Sequence, residues 1–320
     1  MPNVTLNYLL KRMLGTIPLL LGVSLVLFGV LHLAPGTPMD VYADNPSVSQ
    51  EALDQMKVAL GLDQPLPVQY TKWVTAFFTG EWGYSIRTAR PVVTEITERL
   101  WPTIILGGSS FFLALLVAVP LGVLSAVRRY SATDYGITFM SFLGISMPVF
   151  WLALMLQLLF AVQWRILPSA GMQTIGENSL VDLLRHLALP ALILAFANVA
   201  GWSRYMRSSM VEVLSQDYVR TAKAKGLPHN KVVYRHALRN ALIPVITVVA
   251  LDFAGILSGA VITETIFAWP GIGRLFIESM NGRDYPVLLA LMMLGSFALV
   301  VTNVLADLAY AAADPRIRYD

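Results

Sequence analysis

The sequence predicts an all-α integral membrane protein with six transmembrane helices, both termini cytoplasmic, and a long, partly helical extracytoplasmic loop between helices 1 and 2. Three observations predict it. Of 320 residues, 56% are hydrophobic and 13% charged, with a mean hydropathy of +0.62. A soluble domain carries about 25% charged residues. Six long stretches are almost free of charge. The basic residues between those stretches gather on one side.

A bilayer core of ~30 Å needs about 20 apolar residues in a helix. Met13–Leu33 carries no charge beyond that available to His32, and Pro102–Val127 and Tyr135–Trp164 carry none. His186–Ser203 is shorter and equally free of charge after its first histidine. Asn240–Thr263 contains only Asp252, and Tyr285–Ala313 only Asp307. Residues 1–33 thus form the N-terminus and first span, 34–101 the outer loop, 102–313 the core and 314–320 a tail. Within the core the spans are 102–127, 135–164, 186–203, 240–263 and 285–313, with a basic loop at 204–239. The third span is longer than a crossing requires and encloses Pro148, so a kink or tilt is expected there.

Orientation follows from Lys and Arg, because short basic loops stay cytoplasmic. Lys11 and Arg12 precede span 1, Arg128 and Arg129 follow span 2, and Arg316 and Arg318 end the chain. Arg204, Arg207, Arg220, Lys223, Lys225, Lys231, Arg235 and Arg239 lie between spans 4 and 5. The short opposite loops hold only Arg165, Arg185, Arg274 and Arg283. The long first loop carries five basic and eight acidic residues, which suits an outer face. The first apolar run exceeds a signal-peptide core and no A-x-A-like site follows it, so the span is expected to be retained.

The outer loop has its own signals. Ser47 with Gln50 fits a capping box, followed by Leu53, Met56 and Leu60 at helical spacing and Gly61 as a stop. A second helix reads at Gln69–Phe78, with Tyr70, Trp73, Val74, Phe77 and Phe78 on one face and Gly80 ending it. Aromatic rings favour the headgroup layer. Two roles stay open for this helix: packing over helix ends, or a docking platform for an extracytoplasmic partner. Val92, Ile96 and Leu100 lead amphipathically into span 2.

The basic loop is the most informative segment. Ser215-Gln216-Asp217-Tyr218-Val219-Arg220-Thr221-Ala222-Lys223-Ala224-Lys225 reads as a short helix that Gly226 ends, while Leu227-Pro228 prevents continuation. A second helix, about Asn230–Ala241, leads to Pro244. A short cytoplasmic helix held between two spans can move as a rigid lever. The basic residues also serve topology and anionic lipid. Few aromatics interleave them, only Tyr218 and Tyr234, which argues against nucleic acid as a partner.

Several polar groups fall inside spans. A charge at the bilayer centre costs ~2.5–3.5 kcal/mol, so Asp252 should face a cavity or a partner. It is either a lining residue of a translocation path, attracting a substrate's ammonium group, or a hydrogen-bonded packing residue. Ser258 belongs with the path candidates, as do Met147 and Trp151 around Pro148. Gly255 and Gly259 make a small-xxx-small face suited to close helix contact. Asn303 and Asp307 share a face of the last span, where structural hydrogen bonding is the better reading.

Catalytic and metal chemistry find no constellation. The chain has no cysteine, which excludes disulfides, thiolate metal sites and a cysteine nucleophile. His32, His186, His229 and His236 form no ligand set. No H-E-x-x-H, G-x-S-x-G or G-x-x-x-x-G-K-[ST] pattern occurs, so neither a membrane hydrolase nor an ATP-hydrolysing subunit is expected. A secondary transporter or channel would be favoured by inverted repeats with paired broken helices, and no matching halves are visible.

Tyr218–Gly226 resembles the E-A-A-x-x-x-G loop of binding-protein-dependent ABC importer permeases. Ala222 and Gly226 match, while Arg220 and Thr221 stand where the general pattern has Glu and Ala. Arg235-His236-Ala237-Leu238-Arg239-Asn240-Ala241-Leu242-Ile243-Pro244 resembles the dipeptide/oligopeptide/nickel branch. So do Gly61–Pro65 with Gln69-Tyr70, then Gly80–Ser85, Thr263–Gly273, Arg283–Pro286 and Asp314–Tyr319. The resemblance covers nearly the whole chain. It implies a permease subunit of the bacterial inner membrane, paired with a second homologous permease. Two cytoplasmic ATPases would bind ATP and Mg below, with no cofactor on this chain, and a solute-binding protein would deliver dipeptides or oligopeptides from outside. Nickel chelates, glutathione and sugars are the alternative cargoes. It also implies that Ser215–Leu227 carries the coupling helix.

Overall fold

The computed structural model describes residues 6–33, 36–39, 49–252 and 260–313. They are helical almost throughout. In chain order the helices are α1 (Leu6–Leu33), α2 (Gln50–Ala59), α3 (Leu66–Thr79), α4 (Val92–Val127), α5 (Ala132–Ser146) and α6 (Val149–Gln157). They continue with α7 (Leu180–Leu214), α8 (Asp217–Ala224), α9 (Leu238–Asp252), α10 (Val261–Ile266), α11 (Ile272–Asn281) and α12 (Tyr285–Ala313). A π-helical stretch, Leu158–Gln163, prolongs α6. His229–Lys231 and a second π stretch, Val232–Ala237, run directly into α9. Ser258, Gly255, Gly259 and the tail 314–320 lie outside the described residues, as do Ser47 and the side chains of Asn303 and Asp307.

By length and composition, Gly15–Leu33, Val92–Val127, Leu180–Leu214, His229–Ala250 and Tyr285–Thr302 can each cross a bilayer, and α5 with α6 makes a sixth candidate. That pair is bent by 100°, far more than the expected kink. The cause is local. Met147 precedes proline and is pushed out of the helical region to φ −80°, ψ 127°. Pro148 follows at ψ 128° and starts α6. Two consecutive extended residues make a corner. Elsewhere Pro18, Pro102, Pro120, Pro190 and Pro244 sit inside unbroken helices.

α7 has 35 residues, so at about 1.5 Å per residue it is roughly 50 Å long. That exceeds a ~30 Å hydrocarbon core. The expected span 186–203 is therefore the middle of a longer rod with polar extensions at both ends. The loop 204–239 is correspondingly less loop than helix: its first third belongs to α7 and its last third leads into α9.

The described residues divide into two compact units. The first takes the chain up to Trp101 together with Gly271–Val301. Here α1 and α3 meet through Phe28, which stacks on His32 at 3.9 Å and lies 5.5 Å edge-on from Tyr70. Ser24 and Tyr70 share a hydroxyl–hydroxyl hydrogen bond of 2.8 Å. Of the five apolar residues predicted on one face of α3, Tyr70, Trp73, Val74 and Phe77 are half-buried and Phe78 is exposed. Gly80 ends α3 at φ 81°. Ser49, one residue before α2, accepts from Ala52 N at 3.2 Å and so holds the cap position. The turn after α3 is pinned by Asp284, which accepts from Ser85 Oγ and from Ile86 N at 3.1 Å. Glu278 accepts from Arg274 at 2.8 Å and from Arg87 at 3.3 Å.

The second unit centres on Pro102–Pro270. α4, α7 and the α9 run share one core: Ala114, Ala118, Val123 and Ala126 meet Trp202, Met206 and Met210, which in turn meet Val233, Ala237, Ala241 and Val245. Small residues set the spacing. A Cβ on Gly122 would lie 2.5 Å from Met206 Cβ, and one on Gly144 would lie 3.0 Å from Ala200 Cβ. Serines tie the rods: Ser209 Oγ donates to Ala241 O at 2.8 Å, and Ser141 meets Ser203 at 3.1 Å.

Candidate functional site

The short cytoplasmic helix expected from Ser215–Lys225 is α8. Asp217 occupies its first turn and Lys223 its last, the charge order that suits a helix dipole. Ser215 and Gln216 stay outside, closing the end of α7 through Ser215 N to Glu212 O at 3.2 Å and Gln216 N to Val213 O at 3.1 Å. Gly226 stops the helix at φ 75°. Its left-handed conformation costs a glycine nothing, and Pro228 then starts the next turn.

An eight-residue helix is unstable alone, so its packing decides its place. Val219 and Ala222 are buried against Val232, with Val213, Leu214 and Leu227 around them. Asn240 Nδ2 donates to Tyr218 Oη at 2.8 Å and fastens the helix to α9. The other face is open: Asp217, Tyr218, Arg220, Thr221, Lys223, Ala224 and Lys225 are all exposed. Arg220 and Asp217 form a 3.1 Å surface pair, itself worth little. α8 is thus a two-faced element, apolar toward α7 and the α9 run and polar outward.

Elsewhere in the second unit lies a cluster that the sequence reading missed. Asp134, at the start of α5, is buried, and Arg207 of α7 grips it with two parallel bonds: Nε to Oδ1 at 2.7 Å and Nη2 to Oδ2 at 2.8 Å. Ser125 Oγ of α4 donates to the same carboxylate, as does Tyr130 N at 2.9 Å. One carboxylate therefore joins α4, α5 and α7. Asp134 lies one residue before the expected third span, and its partner is 73 positions away. Only Ser131, one helical turn before Asp134 and accepting from its N–H at 3.3 Å, left a local cap signal.

Asp252 is the last described residue of α9, and its side chain is exposed. Trp202 Nε1 of α7 donates to its Oδ2 at 2.6 Å. Met147 and Trp151 lie at the α5–α6 corner, half-buried and exposed respectively. No hydrogen bond or ring contact among the described residues joins either of them to Asp252. Among the described residues, no three His, Asp or Glu side chains converge on a metal position.

Fold and sequence together define a class: the chain belongs to the binding-protein-dependent transport system inner membrane components. The family's pattern matches residues 118–319, and its N-terminal counterpart matches residues 5–107. The oligopeptide transport system permease protein AppB of Bacillus subtilis strain 168 is 45% identical over 98% of this chain and 99% of its own. The dipeptide transport system permease protein DppB of Escherichia coli K12 is 37% identical with the same coverage. The glutathione transport system permease protein GsiC of Salmonella paratyphi A is 41% identical, again over 98% and 99%. A solved structure of the MetNI methionine ABC transporter shares the fold, with a TM-score of 0.57 and 16% identity over 70% of this chain and 98% of that one.

Proposed function

We propose that this chain is one of two membrane-spanning subunits of an ATP-driven importer of dipeptides and oligopeptides. Six spans place both termini in the cytoplasm, with α5 and α6 together serving as one broken span. A second, homologous permease completes the path. A solute-binding protein delivers cargo from outside, and two ATPases supply the energy, so this subunit performs no catalysis itself. The full-length relationship to oligopeptide and dipeptide permeases supports the cargo class. Glutathione, a peptide derivative, is the second reading, favoured by the relative that handles it.

The observation that carries the reading is the geometry of α8. Its apolar residues are spent on holding it to α7 and the α9 run, and its charged face is left for another molecule. Seated in a groove of an ATPase, α8 transmits closure of the ATPases to the spans. ATP moves the equilibrium only by its differential affinity for the two states. Asp252, with Ser258, Met147 and Trp151, belongs to the translocation path in this reading. The test is uptake of labelled peptide into vesicles that contain the complete importer. Uptake should need the ATPases, ATP and the binding protein. Peptide uptake that continues without ATPase or ATP would falsify the importer reading.

A further inference from the structure

Two carboxylates of the second unit, Asp134 and Asp252, have opposite surroundings. Asp134 is buried and gripped by a guanidinium, so its charge is cancelled where it stands. Asp252 is exposed, and Trp202 Nε1 is its one hydrogen-bond donor among the described residues. An indole N–H is neutral and can only donate. It can fix the carboxylate in place but brings no positive charge to it.

Trp202 is itself held firmly. It is 2% exposed, lies edge-to-face with Phe111 at 5.0 Å, and belongs to the core shared by α4, α7 and α9. Its ring cannot follow the carboxylate, so the carboxylate must come to it. One oxygen, Oδ2, is committed to the indole. The other, Oδ1, has no hydrogen-bond donor among the described residues. A packing carboxylate in a membrane segment needs its charge neutralised or fully enclosed by donors. Among the described residues, Asp252 has neither a cationic partner nor a second donor.

We propose that Trp202 is a positioning residue for cargo selection: it orients Asp252 so that a fixed negative charge meets an ammonium group on the passing peptide. The proposal rests on the importer reading above and adds to it a residue outside the coupling segment and the four path candidates. Trp202 acts only through Asp252 and touches no cargo. Importers with this pair should favour peptides that carry an additional cationic side chain.

The test uses the complete importer in vesicles, with its binding protein saturated by each cargo. The readout is the ratio of initial uptake of a lysine-containing dipeptide to that of its norleucine counterpart. Asp252→Asn should lower the ratio by roughly tenfold and Trp202→Phe by about threefold, as expected when a hydrogen bond to a charge and then the charge itself are removed. In the Asp252→Asn background, Trp202→Phe should change the ratio no further. Should Trp202→Phe impair folding, the same ratio is read with Trp202→benzothienylalanine, which keeps the ring shape and replaces N–H by sulfur. The proposal is overturned if loss of the N–H slows both cargoes equally, leaves both unchanged, or acts as strongly without the Asp252 charge. If the unmodified importer moves neither peptide on ATP, the importer reading fails and this inference with it.

Discussion

Replacing Arg207 by methionine keeps the side-chain length and removes the guanidinium. The Asp134 carboxylate, 2% exposed, would then retain only Ser125 Oγ and the Tyr130 N–H as donors. Breaking a buried ion pair from one side costs about 3–5 kcal/mol. Arg207 is itself 29% exposed, and two neutral donors remain, so the lower end applies: about 3 kcal/mol. The second arm is Arg207→Met with Asp134→Asn. It leaves no buried charge, and the amide still accepts from Ser125 or Tyr130, so most of the loss should be regained, leaving about 1 kcal/mol. The assay is equilibrium unfolding of the purified chain in detergent, followed by tryptophan fluorescence. A loss below about 1 kcal/mol for Arg207→Met, or a double variant no better than the single one, would show that this carboxylate is not the tie between α4, α5 and α7.

The other predictions use the same chain with different probes. Gly122→Ala places a methyl against Met206 and should destabilise by about 1–3 kcal/mol in that unfolding assay. Gly108→Ala, with nothing within 4 Å of its new Cβ, should be neutral. Asp284→Ala removes the acceptor for Ser85 Oγ and Ile86 N and should loosen residues 83–91, by about 2 kcal/mol in local opening measured by hydrogen exchange. Lys223→Glu reverses an exposed charge on α8. It should leave unfolding unchanged while lowering cargo-stimulated ATP hydrolysis of the assembled importer by about tenfold. Val219→Asp, on the buried face, should lower both.

The sequence marks helix ends well and helix partners poorly. Gly80 and Gly226 stop their helices in the left-handed conformation that their identity makes cheap, and both stops are readable from a few neighbouring residues. Pro148 is readable as a break, but not as a 100° corner, because the angle depends on two residues turning extended together. The apolar stretch 186–203 is only the middle of α7, because hydropathy registers lipid contact and not helix ends. α7 continues as a helix past Arg204, where the side chains turn polar and the backbone does not change. The Asp134–Arg207 tie escaped for a different reason. Each residue alone looks like ordinary membrane-edge charge, and only tertiary packing brings positions 73 apart within 2.7 Å. Trp202 escaped likewise: an aromatic residue in an apolar helix announces burial, and nothing local announces that its N–H has found Asp252, 50 residues on.

The ties of α8 limit how it can move. With eight residues it has no independent stability, and its buried contacts are two small side chains, Val219 and Ala222. Those contacts lie on the end of α7 and on Val232, and Tyr218 is bonded to Asn240 of α9. Rotating α8 by itself would expose Val219 and break that bond with no gain elsewhere. Moving α8 together with the adjoining ends of α7 and α9 breaks neither. α7 is continuous from Leu180 to Leu214, and Ser209 fastens it to α9 at Ala241. Force applied to the polar face of α8 is therefore borne by two rods at once. The same rods carry Trp202 and Asp252, so a displacement that shears α7 against α9 must also strain the 2.6 Å bond between them.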